Sequence, residues 1–156
     1  MQRTLHFALM SVALVLAGCK TGQPGKLEAR MVSSAKHHIF VGNQNQRNPL
    51  QATPKTIAAG KEAFLHYCLA CHGVDGQNTG VPFAEHMSPP VPSLASHEVQ
   101  SYSDGQLKWV IDYGISPSGM PGSKGILSDE EIWSIVVFLR HLPPAGSQGE
   151  PEMYSH

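Results

Sequence analysis

At 156 residues the chain has room for one domain with appendages and falls short of two full ones. Apolar residues make up 41% and charged residues 15%, which excludes both a disordered tract and a coiled coil. Eleven Lys and Arg stand against 12 acidic residues, for a formal charge of −1, and that balance speaks against a nucleic-acid binder. There are 9 His and 3 Cys; because 3 is odd, a pure disulfide framework would leave one thiol over.

Residues 1–19 read MQRTLHFALMSVALVLAGC. Arg3 precedes an apolar run from Phe7 to Ala17, interrupted by Ser11, and small residues follow. The run is well short of the roughly 20 residues a membrane span needs, so residues 1–18 read as a secretory signal peptide. Its end, Leu16-Ala17-Gly18-Cys19, resembles the lipobox of bacterial lipoproteins. That resemblance implies cleavage before Cys19, a lipid on its thiol, and a protein anchored on the periplasmic or extracytoplasmic side of a bacterial membrane. Residues 19–52, with scattered Gly, Pro, Asn and Gln, show no sustained periodicity and are expected to form a flexible tether.

Three helical segments follow. In the first, Ile57, Gly60, Ala63, Phe64 and Tyr67 share one face at helical spacing. The second opens on Ser103-Asp104-Gly105-Gln106, a capping pattern, and carries Leu107, Val110 and Ile111 on one face. The third opens on Ser128-Asp129-Glu130-Glu131, a capping box whose carboxylates suit the positive end of the helix dipole. It should bury Ile132, Ile135, Val136 and Leu139, and Pro143-Pro144 stop it. The folded unit is therefore expected at 53–142, with residues 143–156 as a disordered tail. Between the first two helices lies a long Gly- and Pro-rich stretch, 73–102, of a kind that needs something large to organise it.

Cys68-Leu69-Ala70-Cys71-His72 supplies a candidate organiser. Cys-x-x-Cys-His is the attachment signature of c-type haem. Two thiols on one helical turn can add to the two vinyl groups of a porphyrin edge, and the next residue, His72, is then carried under the iron. A dithiol redox motif would give His72 no role and would want a βαβ setting. A zinc site would need a further ligand at fixed spacing, and the sequence offers no second pair. One cysteine for lipid and two for haem account for all three.

With these residues in view, 53–142 resembles class I cytochrome c domains, an all-α fold of three main helices around one covalently bound haem c. Gly60 and Phe64 precede Cys68 as in that family, where the glycine lets the first and last helices cross closely. The resemblance makes Phe138 the aromatic partner at that crossing. Pro92-Ser93-Leu94 looks like the family's Pro-x-Leu, in which the proline carbonyl accepts the proximal imidazole N–H and the leucine packs on the haem. In the crowded Pro89-Pro90-Val91-Pro92, Pro90 is a rival acceptor.

For the sixth iron ligand, Met120 in Gly119-Met120-Pro121-Gly122 resembles the family's axial-methionine loop. Met87 is its rival, and His86, His97 and His141 would give bis-histidine iron. Trp109, Tyr113 and Trp133 lie on the apolar helices and are expected in the core. The resemblance implies a monomeric, non-enzymatic one-electron carrier working with redox protein partners. The alternatives are a dedicated electron-accepting subunit of a dehydrogenase or terminal oxidase, and a haem-based sensor or peroxidase-like enzyme.

Overall fold

The computed structural model describes residues 41–147, apart from 88 and 117. The expected signal peptide, Cys19 and the larger part of the tether lie outside the described residues, as does the tail from 148 onward.

The first helix, α1 (Pro54–Tyr67), starts where Thr53 accepts a hydrogen bond from the Thr56 N–H, with Pro54 at the position that needs no N–H donor. The Cys68 N–H donates to the Phe64 carbonyl at 2.8 Å, and one further turn, α2 (Leu69–His72), follows. The 73–102 stretch contains a 3-10 turn, Pro82–His86, and a short helix, α3 (His97–Gln100), capped by Ser96. Neither has enough residues to leave a periodic signal.

Helix α4 (Asp104–Tyr113) begins with a reciprocal capping box between Ser103 and Gln106. Helix α5 (Asp129–Leu139) begins with the same device between Ser128 and Glu131. The chain is all-α: the described residues form isolated bridges, such as Ile115 with Met120, but no strand.

The core lies where α1 and α4 pack against α5. Every residue of α5 from Ile132 to Leu139 is buried, as expected of a helix apolar on nearly all sides. Ala63, Phe64, Leu107 and Ile111 complete the core from α1 and α4. At the α1–α5 crossing, a Cβ on Gly60 would stand 1.9 Å from the Ser134 carbonyl oxygen, so only glycine permits this approach. The Phe64 and Phe138 rings meet beside it with centroids 5.3 Å apart, fulfilling the expectation for both residues. Tyr67 departs from its expected face: it is 54% exposed, because the helix ends there and turns the side chain beyond the crossing.

Both ends of the folded unit extend past 53 and 142. Gly42 lies against the Trp109 ring, and the Asn48 side-chain amide donates to the Trp133 carbonyl at 2.9 Å. At the other end Leu142 packs on Gly76, and the Gly146 N–H donates to Gln77 Oε1 at 2.6 Å. These ties run between side chains and distant backbone and have no sequence period.

Arg140 closes the last helix onto the α3–α4 corner. Its Nε pairs with Asp104 at 2.9 Å, and its Nη atoms donate to the Gln100 and Tyr102 carbonyls.

Candidate haem site

Cys68 caps α1, while Cys71 and His72 fall on the single turn of α2. The two cysteines are free thiols, Cys68 half-buried and Cys71 exposed. Burial, and then the neighbouring Cys71, push the Cys68 thiol up to about 11. A dithiol exchange centre needs a depressed thiol pKa, and burial moves Cys68 the other way. Among the described residues, no three His, Cys, Asp or Glu side chains gather as a metal cluster.

His72 is buried, and its Nδ1 makes no hydrogen bond of full geometry. Burial lowers its pKa, and the Pro92 carbonyl acts in the opposite direction. Leu94 holds its place through its own N–H, which donates to the Gly76 carbonyl at 2.7 Å, and its side chain packs on the core.

The segment between His72 and Pro92 is built on Asp75, a buried carboxylate that the sequence reading passed over. One oxygen accepts from the Gln77 N–H at 2.8 Å and the other from the Thr79 hydroxyl at 2.6 Å. The signal for it was present: Asp75-Gly76 is a turn dipeptide whose aspartate commonly bonds the backbone two residues on.

Met120 sits on the loop joining α4 to α5. The Ile115 N–H donates to the Met120 carbonyl at 3.1 Å, and the loop's far side is tied by Ser123 N–H to the Ile111 carbonyl at 2.9 Å. Gly114 makes this turn with φ +71°, and a Cβ there would come within 2.3 Å of the Met120 oxygen. The Met120 side chain packs, half-buried, on the core that Cys68 and Leu94 also touch. Met87 is half-buried, whereas His86, His97 and His141 are exposed.

Of the aromatic residues, Trp133 is in the core, Trp109 is half-buried, and Tyr113 is 51% exposed. Tyr113 packs on Trp109 at 5.2 Å, and its hydroxyl accepts from Lys124 Nζ at 2.8 Å. Tyr113 is therefore no core residue, since the ion–ring pair with Lys124 keeps it at the surface.

A paired thiol turn, a buried imidazole whose Nδ1 has no hydrogen-bond partner, and a thioether on a closed loop together fit a haem joined through Cys68 and Cys71. Residues 55–139, more than half of the chain, match the family described as cytochrome C oxidase, cbb3-type, subunit III. The chain belongs to this family of c-type cytochrome domains. Such a domain carries covalently bound haem c and transfers electrons through it. In fold, the cytochrome domain is similar to a chain of the Kuenenia stuttgartiensis reducing HAO-like protein complex, with a TM-score of 0.52 and 24% identity. The likeness covers 60% of this chain and 46% of that one, so it spans less than half of the longer relative.

Proposed function

We propose that the chain is a monomeric one-electron carrier with one haem c, held by Cys68 and Cys71 and ligated by His72 and Met120. The observation that carries this reading is the burial of His72 directly after the two thiols, with its Nδ1 left without a hydrogen-bond partner. When bound, haem c supplies a one-electron iron couple. A hydrogen bond from Nδ1 to the Pro92 carbonyl would favour the tautomer with its proton on Nδ1, leaving Nε2 free for the metal and more basic. The Met120 thioether favours the reduced metal and so raises the potential. With His72 and Met120 both holding the metal, the chain would leave no metal position open to a substrate, which supports a carrier rather than an enzyme.

The lipobox-like end at Cys19 supports an exported protein held by lipid at a bacterial membrane, on its periplasmic or extracytoplasmic side. A lipid and a short tether would keep the domain near membrane-bound redox partners and raise their effective concentration.

The family description favours a second reading, in which the domain serves one oxidase as a fixed electron-accepting subunit. A stable enzyme co-purifying with the haem-loaded chain supports that reading; recovery of the chain alone, with rapid exchange between several partners, supports the free carrier.

The deciding experiment is the far-red absorption of the oxidised, haem-loaded protein beside Met120→Ala. A weak sulfur-to-iron band present in the wild type and lost in the variant supports His/Met ligation. Absence of the band in the wild type, together with carbon monoxide binding to the reduced protein, overturns the carrier reading in favour of a sensor or enzyme.

A further inference from the structure

The stretch after His72 does more than present Pro92. From Asn78 to Leu94 the chain makes an excursion whose base is fastened on both sides. The Asn78 N–H donates to the His72 carbonyl at 2.9 Å, and the Asn78 side-chain amide donates to the Val91 carbonyl at 2.6 Å. Inside the excursion Ala84 is fully buried. Its N–H donates to the Val81 carbonyl at 3.0 Å, and its own carbonyl accepts from the Val91 N–H at 2.9 Å. The 3-10 turn is therefore a packed unit rather than a free flap, and Met87 stands at its end.

The Met87 terminal methyl lies 3.4 Å from where a Cβ on Gly119 would stand, and Gly119 is the residue before Met120. The excursion thus links the segment that carries His72 to the loop that carries Met120. That loop's own ties near its tip run to Ile115, whose N–H donates to the Met120 carbonyl at 3.1 Å and whose carbonyl accepts from the Ser118 N–H at 3.0 Å and hydroxyl at 2.6 Å; Gly119 between them is exposed, and the Met120 N–H reaches Ser118 Oγ only at 3.4 Å. A ligand on such a loop leaves its metal whenever the loop opens, so a competitor's apparent affinity scales with the open fraction. A methionine is well suited to fill an irregular gap beside a glycine, being unbranched and polarisable.

We infer that Met87 is a positioning residue for the distal ligand: its side chain buttresses Gly119 and keeps the Met120 loop closed. This rests on the reading of Met120 as the ligand, and it gives the two methionines different tasks, one on the metal and one behind the loop.

The test is imidazole titration of the oxidised, haem-loaded protein, with the far-red band recorded on the same samples, for wild type, Met87→Ala, Met87→Leu and Met120→Ala. Imidazole takes the distal position only when Met120 leaves it. Met87→Ala is expected to bind imidazole roughly tenfold more tightly than wild type, reflecting a larger open fraction. Met87→Leu, which refills the gap without a sulfur, should return close to wild type and keep the band.

If Met87→Ala titrates like wild type while Met120→Ala loses the band, the buttress is overturned and the ligand assignment stands. If the band survives in Met120→Ala and vanishes in both Met87 variants, Met87 is the ligand and both readings fall. Should Met87→Ala fail to accumulate with haem, Met87→Val, which also loses the reach to Gly119, carries the same expectation.

Discussion

Gly60 and Ser134 are in backbone contact across the α1–α5 crossing. A Cβ on Gly60 would meet the Ser134 carbonyl oxygen at 1.9 Å and the Phe138 Cβ at 3.0 Å. Neither helix can yield locally, because Ser134 is buried in the middle of α5 and Phe138 is buried in its last turn. Gly60→Ala must then push the helices apart and loosen the Phe64–Phe138 pair. We expect a loss of about 3 kcal/mol from this overpacking, read as a lower denaturant midpoint of the haem-loaded protein. A midpoint within experimental error of wild type would show that the helices cross less closely.

Gly60, Phe64 and Phe138 were legible because helical spacing and the family pattern point to the same three positions. The haem-binding turn was legible for a similar reason: Cys68, Cys71 and His72 are adjacent in sequence, so their chemistry does not depend on tertiary structure. The ends of the domain were not, because Asn48 and Gly146 are held by single bonds to Trp133 and Gln77, far away along the chain. The buried Lys108 was hidden in another way: its spacing to Asp112 suggests an ordinary exposed pair, and only the fold places Asp129 and Trp133 around it.

Lys108 is buried, with Nζ 2.7 Å from Asp112 and 2.9 Å from Asp129, and 5.7 Å from the centre of the Trp133 ring. Burial lowers its pKa, but the hydrogen bonds and charges of the two aspartates outweigh this and leave it raised. The two partners should differ sharply in their effect. Lys108→Met leaves the buried Asp112 carboxylate without its cation, at a cost of about 3–5 kcal/mol. The Asp129 side chain is 82% exposed, so Asp129→Asn should cost under about 1 kcal/mol. Denaturant midpoints at neutral pH measure both, and equal losses would contradict this ranking. Because the folded pKa is raised, the wild-type advantage over Lys108→Met should be complete below 10.5 and decline as the pH rises through the higher folded value.

Glu131 provides the opposite pH dependence at the start of α5. Its carboxylate accepts from the Ser128 N–H at 2.8 Å and from the Ser128 hydroxyl at 2.7 Å, which hold its pKa below the ordinary 4.5. A depressed folded pKa gives stability that is complete above the unfolded value and is lost as the pH falls through the folded one. The stability gap between wild type and Glu131→Ala should therefore be constant at neutral pH and shrink below 4.5. Thermal midpoints of the two proteins across an acid series measure it. A gap that stays level down to acid pH would mean that the cap works through the helix backbone alone, without the charge.

Removing the haem should unfold most of the domain. The three main helices have 14, 10 and 11 residues, at or below the roughly 12–15 at which isolated helices become marginal in water. They persist by packing on one another, but a polypeptide core drawn from roughly 90 residues buries too little surface to be secure alone. The excursion from Asn78 to Leu94 contributes little beyond Val81 and Ala84 to the buried apolar residues, and otherwise depends on backbone ties around His72. Haem would add apolar surface against Cys68, Leu94 and Met120, the half-buried residues at the edge of the core. The double variant Cys68→Ala/Cys71→Ala, which cannot attach haem covalently, is therefore expected to show weak far-UV helicity and no cooperative melt. A helical, sharply melting double variant would show that the α1–α5 crossing suffices by itself, and that haem is a passenger in the fold rather than part of its core.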